Sequence, residues 1–223
     1  KMVEILKKTT KDFRNVEIIH GDILKIQNQS TQISLSARPS TKENFLCSGP
    51  KFQIPKYYKI VANLPYYIVS PVIRKFLEIS NPPKEMILMV QKEVAQRICS
   101  KSPDMNLLAV SVQFYATPEI ISFVSKDSFW PKPKVDSAII KIIPRRFYVS
   151  ISRRFRERFF RIVKAGFSQP RKQLANNLAK SLKLQKEVVK KLLSQNNIAP
   201  KQRAETLTIK DWIKLTKTIA AIL

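Results

Sequence analysis

Histidine, glycine, cysteine and acidic residues are all scarce in this chain of 223 residues, and each shortage narrows what it can do. His20 is the only histidine, which removes most histidine-based hydrolytic schemes and leaves no histidine cluster for zinc; no metal is expected. Cys47 and Cys99 stand in no metal-binding or redox spacing, so they read as ordinary reduced thiols, although two cysteines are enough to form one bridge. Nowhere does an apolar run approach the roughly 18 residues that a membrane helix needs. The basic N-terminus also lacks the apolar segment and cleavage site of a secretory leader, so the expectation is a soluble, cytoplasmic protein that does not enter membranes. Acid is the most consequential shortage: 16 Asp and Glu face 41 Lys and Arg, a formal net charge of +25. Such an imbalance points to a polyanionic partner, with nucleic acid ahead of a membrane surface or a generally basic composition. Charge cannot choose among nucleic acids, because phosphate attraction carries no sequence information.

What is present can fold. With 44% hydrophobic residues the chain can bury a sizeable core. "VEIIHGD" (16–22), "YKIVANLP" (58–65) and "EMILMVQ" (85–91) read as strands that end in polar residues. Between the last two, Ser70 and Pro71 supply a helix cap and a first-turn proline, while Val72, Ile73, Phe76 and Leu77 form an apolar face. That is a βαβ unit in a parallel sheet, and ligands collect at the carboxyl ends of such strands. "EIISFV" and "SAIIKIIP" follow as strands, whereas "LAVSVQFYA" fits a strand or a helix equally well. Residues 27–57 break the pattern with a Ser, Thr, Gln and Pro-rich stretch, read as an inserted surface loop.

From about residue 145 the pattern turns helical. A helix through "RRFYVSISRRFRERFFRIVKAGF" places Ile151, Phe155, Phe159, Ile162 and Val163 on one side and Arg153, Arg154, Arg158, Arg161 and Lys164 on the other. The next helix is expected to be capped by Ser168 and opened by Pro170, with Arg171 and Lys172 in its first turn and Leu174, Leu178 and Leu182 on one stripe. Helices near 188–193 and 211–222 complete a small all-helical domain. The expected organisation is an α/β core over 1–147 and a basic helical domain over 148–223. Any single arginine here is most simply a solvated surface charge, but their clustering suits a surface that follows phosphates.

The stretch "VANLPYYIVSP" concentrates residues able to do chemistry. At the end of a strand, the Asn63 side-chain oxygen and the carbonyls of Leu64 and Pro65 are acceptors suited to an exocyclic amino group, and proline offers no competing N–H. Tyr66 beside them supplies a ring on which an extruded base can stack. A polar turn with a core tyrosine explains four residues about as well.

More of the chain bears on the choice. "NLPYYIVSPVIRKFL", "MVQKEVAQRI", "FWPKPKVDSAII", "FSQPRKQLANNL" and "IAPKQRAETLT", in that order, resemble the ribosomal RNA adenine dimethyltransferase family, especially its bacterial small-subunit members. The resemblance implies a Rossmann-like, S-adenosylmethionine-dependent methyltransferase core followed by a small all-α domain. The implied reaction is N6-dimethylation of two adjacent adenines in a hairpin near the 3′ end of small-subunit ribosomal RNA, during ribosome biogenesis. Carried over residue by residue, Asn63, Leu64, Pro65 and Tyr66 match the family's catalytic motif, with Asn63 also at the cofactor. Phe129 matches a ring beside the target base, and Asp22 an acid that contacts the cofactor's adenine. Gln91 and Glu93 resemble a signature helix start. The implied partner is small-subunit ribosomal RNA or the immature small subunit, met by a monomer.

One departure is large. Members carry a Gly-rich turn after their first strand and an acid after their second, but Gly21, Gly49 and Gly166 form no such turn. The start "MVEILKK" resembles the helix that follows the acid, which leads to the expectation of a fragment whose core is incomplete at its N-terminus. Met105 and Asn106 also replace a customary Tyr-Gly. A reading from another class stays open: a non-catalytic RNA-binding assembly factor that kept the RNA surface and lost the cofactor.

Overall fold

The computed structural model describes residues 2–26, 54–145 and 151–222. They fall into two compact units, one of residues 1–56 with 79–81 and the other of residues 57–78 with 82–223. In the first, helix α1 (Met2–Thr9) and a short turn of 3₁₀ helix (Ile23–Lys25) are the regular elements among the described residues. Residues 16–22, expected as a strand, form none. An apolar run has the capacity for a strand, but a ladder needs a partner backbone, and no described segment pairs with this one. Most of the expected insert, residues 27–53, lies outside the described residues, as does the expected domain boundary between 147 and 148.

The second unit is built on a four-stranded sheet. Strands β1 (Ile60–Asn63), β2 (Met86–Gln91), β3 (Ala116–Val124) and β4 (Ser137–Pro144) lie in the order β1-β2-β4-β3. β1 and β2 run parallel, with Asn63 opposite Met89, and helix α2 (Val69–Glu78) makes the crossover, as the βαβ reading requires. The other pairings are antiparallel. Met86, Leu88 and Val90 of β2 and Ile140 and Ile142 of β4 are buried on one face, while Ile87, Met89 and Gln91 of β2 and Ile139 and Lys141 of β4, which alternate with them, remain half-buried. Helices α3 (Lys92–Cys99) and α4 (Leu107–Gln113) pack against the sheet. The ambiguous segment is therefore a helix, started by Asn106, whose side chain accepts a bond from the Ala109 N–H.

Two helix starts differ from expectation. α2 begins at Val69 and is entered through a 3₁₀ turn over Tyr66–Ile68, so Ser70 and Pro71 sit inside its first turn, where a missing N–H is tolerated. The helix expected from Ser168 begins only at Leu174 (α6, Leu174–Leu182). The buried Asn177 amide donates to the carbonyls of Gly166 (2.6 Å) and Gln169 (2.9 Å), which holds residues 168–173 in turns instead.

α5 (Arg153–Gly166) leads the helical part, with α6, α7 (Lys186–Gln195) and α8 (Ile209–Ala220) packed in succession around it. Phe159, Ile162 and Val163 are fully buried, each contributing about 1.5–3 kcal/mol of burial. The Phe159 ring stacks on Phe114 just beyond α4, with centroids 4.1 Å apart, and Phe160 stacks on Tyr115 at 5.8 Å. These rings join the helices to the sheet.

Gly166 closes α5 against α8. A Cβ there would overlap the Trp212 ring and come within 3.0 Å of Leu174 Cδ1. Because Trp212 is fully buried it has no room to retreat. Gly166→Ala is expected to lower stability by about 1–3 kcal/mol through overpacking, read as an earlier urea midpoint with unchanged slope.

Candidate active site and nucleic-acid interface

β1 ends at Asn63, whose side chain is exposed and has no hydrogen-bond partner among the described residues. The chain then leaves the ladder through Leu64 and Pro65. Pro65 donates nothing, and its carbonyl is engaged by the Ile68 N–H at 3.1 Å. The Tyr66 carbonyl likewise accepts from Val69. Among the described residues the Leu64 carbonyl has no donor, so the open acceptors at this corner are the Asn63 amide oxygen and the Leu64 carbonyl oxygen rather than that of Pro65.

Tyr66 stands 36% exposed beside them. Its hydroxyl lies 2.9 Å from the Ser137 hydroxyl, a fully buried group at the start of β4. Gln91 at the end of β2 pairs with Ser137, and Val124 at the end of β3 does so from the other side. One hydrogen bond therefore ties the corner after β1 to the middle of the sheet and fixes how the ring is presented. Ser137 escaped the sequence reading because a serine within an apolar run carries no periodic signal; only its place next to Asp136, after the proline-rich turn, hinted at a strand start.

Phe129 is in the loop between β3 and β4, half-buried, and its N–H donates to the Lys126 carbonyl at 3.3 Å. It shares the end of the sheet with Asn63, Leu64, Pro65 and Tyr66. The loop is braced at several points: the Lys126 N–H donates to Asp136 at 3.2 Å, and Asp127 pairs with Lys132. The Lys132 ammonium and then the Ser125 hydroxyl hold the Asp127 carboxyl below its usual range. Gln91 and Glu93 border a recess of about 360 Å³ beside this loop, together with Lys126 and Lys134.

Asp22 belongs to the first unit. One of its carboxylate oxygens accepts from the Leu24 N–H at 2.9 Å, the turn-forming role open to any such aspartate, and the residue is exposed. Cys99 is a free, half-buried thiol whose pKa is pushed up chiefly by burial; Cys47 lies outside the described residues. Among the described residues no group of His, Cys, Asp or Glu is placed to hold a metal ion, and no helix is long and apolar enough to cross a membrane.

The cations of α5 are not equivalent. Arg154, Arg161 and Lys164 are exposed and have no acidic partner among the described residues. Arg153 is bound to Glu157 at 2.8 Å. Arg158 is turned inward, donating from Nη1 to the Ala220 carbonyl at 3.2 Å, where it closes the C-terminus of α8. Arg171 and Lys172 are exposed on the turn before α6. A groove of about 800 Å³ runs between α2, α4 and α5, with Arg153, Arg161 and Lys164 along one side and Ile73, Leu108 and Val112 among its apolar lining. Arg156 also lines it, and its buried Nε has no hydrogen-bond partner among the described residues. The sequence reading missed Arg156, although its position three residues after Arg153 places it near that residue on the helix.

The comparisons with known proteins agree with this layout. A family model described as ribosomal RNA adenine dimethylase matches residues 1–221. A ribosomal RNA small subunit methyltransferase A from Dehalococcoides mccartyi (strain ATCC BAA-2100) is 41% identical over 216 residues, spanning 96% of this chain and 67% of its own length. A protein of the same name from Clostridioides difficile is 35% identical over 224 residues, spanning 98% and 70%. The chain thus spans about two thirds of the length of these relatives. Among solved structures, a dimethyladenosine transferase from Plasmodium falciparum superposes with a TM-score of 0.71 at 23% identity, over 96% of this chain and 76% of its own. The 23S rRNA methyltransferase ErmE does so at 0.66 and 19%, over 98% and 78%. At those identities the two structures speak for the fold: a Rossmann-like methyltransferase core followed by a helical region.

The Tyr66–Ser137 bond makes a separable prediction. Tyr66→Phe leaves the buried Ser137 hydroxyl without its partner and is expected to destabilise the protein by about 1 kcal/mol. Adding Ser137→Ala should cost less in that background than in the wild type, so a double-mutant cycle by denaturant unfolding will show positive coupling; additive losses would mean that the bond contributes nothing.

Proposed function

The chain belongs to the ribosomal RNA adenine dimethylase family, and from that premise we infer that it carries the base-holding part of an enzyme that dimethylates N6 of two adjacent adenines in the 3′-terminal hairpin of small-subunit ribosomal RNA. The observation that carries this reading is the pair of open acceptors, Asn63 and the Leu64 carbonyl, at the carboxyl end of β1 beside the fixed ring of Tyr66. The small subunit is favoured over the large because the curated relatives of 33–42% identity bear small-subunit names, whereas the relative named for 23S RNA is 19% identical.

An adenine amino nitrogen is a poor nucleophile because its lone pair is delocalised into the ring. Two acceptors that take its N–H bonds draw it toward tetrahedral geometry and free the lone pair for attack. Asn63 and the Leu64 carbonyl can do this without a general base, the proton leaving to solvent after transfer, so positioning and electrostatics supply the rate. Tyr66 and Phe129 would hold the extruded base by its faces. After the first methylation one N–H remains to be accepted, and the exposed corner leaves room for the first methyl group.

The methyl donor proposed is S-adenosylmethionine, which supplies a methyl group made electrophilic by its sulfonium. The chemistry of the residues present suits it in part: Asn63 has a free amide, and Asp22 keeps one exposed carboxylate oxygen able to accept from an adenine amino group. Arg153, Arg154, Arg161, Lys164, Arg171 and Lys172 are proposed to follow the RNA phosphates, with residues 148–223 as the RNA-binding domain, while Arg158 supports that surface from within. The protein is proposed to act as a cytoplasmic monomer on immature small subunits.

The test is methyl transfer to immature small subunits by the full-length gene product. Asn63→Ala should lower the rate about 10²–10³-fold while RNA affinity stays near wild type. Undiminished transfer in that variant would remove Asn63 from the mechanism, and RNA binding without any transfer by the unaltered protein would favour the assembly-factor reading.

A further inference from the structure

Two pairs of neighbouring aromatic residues stand at the carboxyl end of β1, and each pair divides its rings in the same way. In the first, Tyr66 is turned inward to Ser137 while Tyr67 is 83% exposed. In the second, Phe129 is half-buried while Trp130 is 98% exposed. The inner members are accounted for by the base-holding site. The outer members add nothing to the core: both are exposed, and among the described residues neither ring stacks on another.

A lone exposed aromatic is ordinary, but two flanking one site are not easily kept there without use. Trp130 is moreover held outward by a braced loop. Pro131 and Pro133 follow it, the Lys126 N–H is bound to Asp136, and Asp127 is paired with Lys132. A ring carried on a braced backbone needs little ordering of the chain when something flat settles on it. The recess beside the loop carries Lys126 and Lys134 alongside Glu93 and Asp136; Lys126 acts on the nearby Asp127 carboxyl, but neither lysine is in a close ion pair among the described residues, so both can meet a phosphate backbone.

We propose that Trp130 and Tyr67 form an outer stacking rim for the RNA bases that flank the target adenine. This rests on the reading of the inner site and deepens it: the inner rings take the extruded base, and the outer rings hold its neighbours apart from one another so that the base does not slip back into its stack. The ligand is an unpaired purine or pyrimidine on each outer ring, with the connecting phosphates near Lys126 and Lys134. Stacking of this kind tolerates any base, so the rim sets the conformation of the strand rather than its sequence.

Fluorescence tests it directly, because Trp130 and the fully buried Trp212 are the chain's two tryptophans. The chain is titrated with a synthetic RNA hairpin bearing two adjacent adenines in its loop. Tryptophan emission should be quenched on binding, and the quenching should vanish in Trp130→Phe, where only Trp212 emits, and with a blunt RNA duplex that has no loop. Trp130→Ala and Tyr67→Ala should each weaken hairpin affinity about tenfold to a hundredfold without changing its salt dependence, and Trp130→Phe should restore most of it. Wild-type affinity in both alanine variants, with emission unmoved by the hairpin, would overturn the rim and leave the inner site standing. Failure of the chain to bind the hairpin at all would overturn both. Normal quenching by a chain whose full-length form transfers no methyl group would keep the rim and remove the methylation.

Discussion

The hydrogen bond between Tyr66 and Ser137 holds together everything proposed for the site. β1 makes only four residues of ladder before the chain turns away, and the bonds from Ile68 to Pro65 and from Val69 to Tyr66 fix the backbone of the turn but not the direction of the Tyr66 ring. Ser137 is buried at the start of β4, paired on both sides with β2 and β3, and the tyrosine hydroxyl reaches it from the turn after β1. A ring anchored at its tip and open on a face can receive a base without first being ordered. The two acceptors beside it lie in solvent, so they are satisfied by water in the free protein and can exchange that water for an amino group at small cost.

The same economy runs through the helical part. Phe114 and Phe159 fix α5 to the helix layer of the sheet, which sets the direction in which its charges face. Arg158 spends its charge on the end of α8, and Arg153 spends part of its own on Glu157, so the phosphate-seeking surface is narrower than a count of basic residues suggests. Arg154, Arg161 and Lys164 remain for the solvent side, and the groove between α2, α4 and α5 brings two of these near an apolar floor.

Much of this was legible in the sequence, and what was not has a common cause. The βαβ unit showed because its strands are short apolar runs around an amphipathic helix, a local pattern that tertiary contacts merely complete. The Asn63–Tyr66 corner stood out because asparagine, proline and tyrosine are unusual company at a strand end. Residues 16–22 misled because strand formation depends on a partner that the run itself does not contain. Ser168 and Pro170 misled because Asn177, in the first turn of α6, bonds the carbonyls of Gly166 and Gln169 and holds the chain between them in turns. The Leu107–Gln113 helix could not be told from a strand because its leucines and valines satisfy both periods over so short a length. Ser137 carries its importance in a contact with Tyr66, distant in sequence, and no window along the chain holds both partners.

Where the amino group of a bound adenine goes is therefore the central question. A crystal structure of the full-length protein with a hairpin RNA carrying the two adjacent adenines answers it most directly. The account predicts one adenine out of the stack against Tyr66, its N6 within about 3 Å of both the Asn63 side-chain oxygen and the Leu64 carbonyl oxygen. An adenine that stays stacked in the hairpin, or one whose N6 is held by other groups while those two oxygens remain in water, would contradict it.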